Sequence, residues 1–224
     1  MRLRALHILT IVLLAATTAP AQTPAESSRL AEPNDALLYY NRGLADSRAG
    51  KYEEAVAAFE RAVSLRPDFA EAFNNLGYSY YSLRQYEKAV EAFNRAIRLK
   101  PEMAVALSNR GNVYVTLGEY KQAILSLKEA VRLDPDDAVT HCSLGIAYYK
   151  SKRYKEAAGS FRRAIHFRAD YAEAHYDLGV AYLALKEKEQ ALEQHRVLKT
   201  LAPPLAVELF GGIYRGKILA VTQE

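Results

Sequence analysis

The sequence predicts an all-α solenoid of antiparallel helix pairs, five pairs followed by a capping helix. Three observations predict it. Gly43, Gly77, Gly111, Gly145 and Gly179 recur every 34 residues. Ala55, Ala89, Ala123, Ala157 and Ala191 keep the same spacing, as do Phe59, Phe93, Leu127, Phe161 and His195 in a third frame. Prolines close the units at Pro67, Pro101, Pro135 and Pro203, with Ala169 the one gap. A fixed period of roughly 20 to 50 residues marks a chain of stacked supersecondary units, each too small to bury its own apolar face.

The unit at 70–103, AEAFNNLGYSYYSLRQYEKAVEAFNRAIRLKPEM, holds two amphipathic stretches joined by the turn SLRQY. Each stretch is about 14 residues, a helical length with helical apolar spacing. Proline ends the second because it cannot continue a helix. The units start at Ala36, Ala70, Ala104, Ala138 and Ala172, giving repeats at 36–69, 70–103, 104–137, 138–171 and 172–205. Asp68, Asp136 or Asp137, and Asp170 stand where the next helix needs an N-cap. An interior glycine costs about 1 kcal/mol relative to alanine. The recurring glycines at the eighth repeat position and alanines at the twentieth therefore mark where paired helices approach closely.

This pattern resembles the tetratricopeptide repeat, with its W-x2-L-G-x2-Y…A-x3-F…P consensus. The matching residues here are Leu76, Gly77, Tyr80, Ala89, Phe93 and Pro101, with Phe73 in the tryptophan place. The resemblance implies a right-handed superhelical solenoid whose first helices line a concave surface.

The flanks differ from the repeats. Residues 1–21 have a basic start at Arg2 and Arg4, an apolar stretch, and Ala19-Pro20-Ala21. They read as a signal peptide, too short for a stable membrane span, so the expectation is an exported protein, periplasmic or secreted. Residues 22–35 read as a flexible leader rich in Pro, Ser and acids. At the other end, 206–224 reads as capping helix and tail. Leu205, Leu209 and Ile213 are expected to cover the last repeat, and Gly211-Gly212 to break the helix. Tyr214, Ile218, Leu219 and Val221 then either pack back or await a partner.

Loss of the signal lowers the formal charge from +4 to +2. No cationic stripe interleaved with aromatics appears, which argues against nucleic acid as the main partner. The single cysteine, Cys142, excludes an internal disulfide and reads as a small, inert groove residue. His141 and His175 share the tryptophan position of neighbouring repeats, roughly 10 Å or more apart by the spacing of packed helices, too far to share a metal. No hydrolase, phosphate-loop or zinc motif occurs. The expectation is a non-enzyme with no cofactor.

Positions 2, 6, 9 and 13 of each first helix share one face, the one that lines the concave surface in the family. Asn41, Asn75 and Asn109 repeat along it, giving way to Ser143 and Asp177. Tyr78, Asn112 and Lys150 lie beside them, and Tyr40, Tyr81, Tyr149 and Tyr176 add amphipathic contact area. An amide offers two donors and an acceptor, so the rungs suit the backbone of an extended peptide; some superhelical members of the family bind polypeptide this way. The alternative is that these asparagines bond neighbouring helices. Asn74, one place off the ladder, has no special role in either reading. A clamp for a C-terminal carboxylate, which in the family uses Lys, Asn and Arg, is implausible because its places hold Tyr40, Leu44, Asn75, Val105 and Asn109, a single match without a cation. The functional expectation is a scaffold binding a protein or peptide in the groove, in the cell envelope. The alternative is an assembly subunit that contacts partners through its convex face or its tail. The sequence leaves the oligomeric state open.

Overall fold

The computed structural model describes residues 33–221, with side chains over 35–214; the expected signal peptide and most of the leader lie outside the described residues. The described residues form helices and no strands. The first pair is α1 (Pro33–Arg48) and α2 (Tyr52–Leu65), followed by α3 (Ala70–Ser82) and α4 (Tyr86–Leu99). Next come α5 (Ala104–Thr116) with α6 (Tyr120–Leu133) and α7 (Ala138–Lys150) with α8 (Tyr154–Phe167). The last pair, α9 (Ala172–Ala184) and α10 (Lys188–Leu201), precedes α11 (Pro203–Val221). Helix α1 starts three residues ahead of the expected Ala36, at Pro33, whose fixed φ and missing N–H suit a first helical position.

The glycine frame is explained by a repeated contact. A Cβ built on Gly43, Gly77 or Gly145 would lie 2.5 to 2.8 Å from the ring of Phe59, Phe93 or Phe161 on the paired helix. At Gly111 it would lie 2.5 Å from Cγ of Leu127. The rings and Leu127 are fully buried, so any side chain at the glycine would displace core. At Gly179 the partner is instead Leu209 of α11, 2.5 Å from the built Cβ. His195, in the aromatic frame, is only half-buried. The capping helix thus supplies the core residue that the fifth pair lacks, and Leu209 and Ile213 bury with Ala191 and Leu198.

Three expectations are corrected. Gly211-Gly212 does not break α11, which runs through both. A Cβ at Gly212 would lie 3.2 Å from Leu183, and burial of Leu209 and Ile213 on either side outweighs the weak helix propensity of glycine. Of these candidate aspartates, only Asp137 caps a helix through its side chain, accepting from the N–H groups of Val139 and Thr140. Asp68 and Asp170 come one residue too early, since Phe69 and Tyr171 occupy the cap positions without a side-chain bond. Cys142 is buried in the core with Leu144, Ala174 and Leu178 and does not line the groove. Burial pushes its thiol up to about 12, which keeps it protonated and unreactive.

Each turn inside a helix pair carries one left-handed residue: Gly50, Arg84, Gly118, Lys152 and Lys186, with φ between 60 and 77°. They are 34 residues apart in sequence, a frame in which only two positions are glycine.

Candidate functional site

Consecutive helices pack in antiparallel pairs, and each first helix also touches the next first helix: α1 with α3, α3 with α5, α5 with α7, α7 with α9, and α9 with α11. Among the described residues no two second helices touch. A stack with one row of helices in mutual contact and the other splayed is curved, with the contacting row inside. The first helices therefore line the inner face, and on it stand the sequence-predicted site residues.

Those residues fall into three groups. Tyr78, Asn109, Asn112 and Ser143 line one cavity of about 290 Å3, together with Tyr81, Thr116 and Ile146. Lys150 and Asp177 line an adjoining one of about 180 Å3, which shares Ile146 and includes Tyr149, Phe161 and Val180. Asn41 is exposed and lines neither cavity. Asn75 joins neither cavity but is tied to its neighbours by hydrogen bonds.

The part played by Asn74 is what sequence reasoning missed. Asn109 Nδ2 donates to Asn74 Oδ1 at 3.2 Å, Asn74 Nδ2 to Asn75 Oδ1 at 3.3 Å, and Asn75 Nδ2 to the Tyr40 hydroxyl at 3.0 Å. The amides thus form a relay across α5, α3 and α1. Asn74, buried at 9% exposure, is its middle member rather than a bystander. Helix geometry explains this, since the fifth position lies about 100° around the axis from the sixth and faces the next first helix. The alternative, that these asparagines bond neighbouring helices, therefore describes Asn75 and Asn109. By contrast, Asn112 and Ser143 make no side-chain hydrogen bond to any described residue. They are the amide and hydroxyl left open to the larger cavity.

Electrostatics divide the groove. Its first half carries the neutral amide relay, and Glu71 at the rim pairs with Lys100 at 3.3 Å. The second half is acidic. Burial first, then Glu173, pushes the Asp177 carboxyl up to about 6, against the pull of Lys150. The Tyr176 hydroxyl donates to Glu208 of α11, and burial with that bond holds it near 12.

His141 and His175 are structural. Each Nε2 bonds a carbonyl six residues back, Pro135 at 2.8 Å and Ala169 at 3.0 Å, which pins the turn between repeats. The Nδ1 of His175 also pairs with the side-chain amide of Gln194 at 2.7 Å. Among the described residues no group of three or more His, Cys, Asp or Glu side chains could hold a metal ion. No helix among them is long and apolar enough to cross a membrane.

Comparison with known proteins agrees with this architecture. A tetratricopeptide-repeat profile matches residues 40–104, and a TPR-repeat profile matches 111–152 and 147–186. MamA from Desulfovibrio magneticus RS-1, residue 41 onward, is similar in fold, with a TM-score of 0.71 at 23% identity over 76% of this chain and 97% of that one. A thermophilic TPR protein of Thermus thermophilus, TTC0263, superposes with a TM-score of 0.63 at 23% identity, covering 80% of this chain and 98% of its own. YrrB, described as a TPR protein with an unusual peptide-binding site, gives a TM-score of 0.66 at 27% identity, with 79% and 92% covered. A comparison with curated proteins gave no match. The chain belongs to the tetratricopeptide-repeat family. The fold and its neighbours support a protein-interaction scaffold.

Proposed function

We propose that this protein is a non-catalytic scaffold that holds an extended polypeptide segment in its inner groove. The observation that carries the reading is the larger cavity, where Asn112 and Ser143 present unengaged polar groups beside the half-exposed rings of Tyr78 and Tyr81. Unsatisfied amide and hydroxyl groups next to aromatic faces suit a peptide backbone flanked by side chains. The relay through Asn74 fixes the neighbouring helices, so the groove is pre-organised and less ordering entropy opposes binding. The peptide-binding site described for YrrB makes the same use of the fold reasonable here. We place the protein in the cell envelope, periplasmic or secreted, on the strength of the signal-like residues 1–21.

Exposed apolar groups on the capping helix favour a second reading, in which partners dock there. Val207 is 74% and Phe210 46% exposed, beside His195, whose buried Nδ1 has no hydrogen-bond partner. Photo-crosslinkers placed at Asn112, at Val207 and at the exposed Leu125 separate the readings in the native host. A polypeptide adduct from position 112 supports the groove. Adducts from 207 alone transfer the site to the cap.

A further inference from the structure

We propose that the segment held in the groove carries a lysine or arginine whose cation sits against Asp177, about three to five residues from an apolar side chain that fills the larger cavity. The inference rests on the groove reading above and adds its specificity. Asp177 continues the frame of Asn41, Asn75 and Asn109, so a carboxylate stands where earlier repeats place an amide. It lines the smaller cavity, whose other walls are Ile146, Tyr149, Phe161, Val180 and the Lys150 side chain.

No described residue bonds the Asp177 carboxylate or pairs with it within ion-pair distance. A partly buried carboxylate without donors is costly, and its surroundings do little to relieve it. Glu173 lies on the same helix, Lys150, Tyr149 and Cys142 face it from α7, and Tyr176 links it to Glu208 on α11. Two carboxylates, Asp177 and Glu173, thus stand against one ammonium, and Lys150 itself is exposed to solvent. A partner's basic side chain meets both requirements of the cavity: its aliphatic stem covers the apolar walls, and its charged head supplies the missing donors.

The spacing follows from the two cavities. They meet at Ile146, the larger spanning α3 to α7 and the smaller lying between α7 and α9, so their centres are about one and a half first helices apart, roughly 12 to 15 Å for packed helices. An extended chain advances about 3.3 Å per residue, so the apolar and basic side chains are separated by about three to five residues.

The test is selection of a random linear dodecapeptide library, displayed on phage, against the purified protein at neutral pH. Enriched sequences should carry Lys or Arg about three to five residues from an apolar residue. The near-isosteric Asp177→Asn variant should lose that basic preference, keep the apolar one, and bind the best wild-type peptide at least tenfold more weakly. Wild-type affinity should fall as pH drops through about 6, where Asp177 takes up its proton, while the Asn variant stays flat. Enrichment without basic residues, or a basic preference that survives Asp177→Asn, overturns the proposal and leaves the groove intact. Peptides indifferent to a blocking Asn112→Arg change, or no enrichment at all, overturn the groove reading with it.

Discussion

Asn109 donates its amide to Asn74 across the interface of α5 and α3, at 3.2 Å. Asn74 passes the chain to Asn75, and Asn75 to Tyr40, so three repeats are joined by side-chain amides rather than by apolar packing alone. Removing the middle member leaves a donor on Asn109 and an acceptor on Asn75 unpaired. Asn74→Ala should therefore lower stability by about 1 to 3 kcal/mol, read as a drop in denaturation midpoint. Asn41→Ala, at an exposed site, should change it little. Equal effects would mean that the relay contributes nothing.

The glycine frame predicts an inversion of helix propensity. Gly111→Ala and Gly145→Ala each place a methyl within about 2.5 Å of Leu127 or Phe161. Alanine favours the helix by about 1 kcal/mol, yet overpacking of a closed core costs typically about 1 to 3 kcal/mol. Both variants should melt at lower temperature than the parent. A rise in either would show that the paired helices separate freely.

Asp177 gives a pH-dependent stability prediction. Its folded pKa of about 6 lies above the ordinary carboxylate value, so the native state holds its proton more tightly than the unfolded chain. The sign follows from linkage: this group makes the fold less stable as pH rises through that window. Asp177→Asn should raise the melting temperature at pH 7.5, with a gain on the order of 1 to 3 kcal/mol. The gain should vanish near pH 4, where the parent carboxyl is already neutral. A variant less stable than the parent at pH 7.5 would reveal an interaction that favours the charge.

The turns offer a further check. Lys152 holds a φ of 63° that glycine adopts without strain in the equivalent Gly118 turn. Lys152→Gly should stabilise by a few tenths to about 1 kcal/mol, the relief of left-handed strain exceeding the added freedom of the unfolded chain. Calorimetry on Lys152→Gly and the reverse Gly118→Lys should give opposite signs.

The fold is legible because the same steric contact recurs. A glycine against an aromatic ring leaves the same mark at Gly43, Gly77 and Gly145, and the all-α solenoid follows. The groove face is legible in its residue positions, since helical period alone puts Tyr78, Asn109, Asn112 and Ser143 on one side. What those side chains bond is not. Asn74 and Asn75 are adjacent and chemically identical, and only the distance to the next helix separates a buried link from a groove group. The capping helix departs from local expectation for a related reason: Gly211 and Gly212 read locally as a break, whereas long-range burial of Leu209 and Ile213 decides. The left-handed turn frame carries a signal in Gly50 and Gly118 that Arg84, Lys152 and Lys186 conceal.

Export is open to a simple test. If residues 1–21 direct secretion and are removed, intact-mass analysis of the exported protein should give a chain beginning at Gln22. A chain retaining Met1 in the membrane fraction would contradict removal of the segment.

The central claim is that Asn112 and Ser143 serve a bound peptide rather than the fold. Titrating a library-selected peptide against the Asn112→Ala, Ser143→Ala double variant tests it most directly. Two lost hydrogen bonds at roughly 0.5 to 1.5 kcal/mol each predict about a tenfold loss of affinity, with the melting temperature unchanged because neither side chain bonds within the described protein. Unchanged affinity in the double variant, with binding abolished by Val207→Asp and Phe210→Asp, would contradict the account and place the partner on the capping helix.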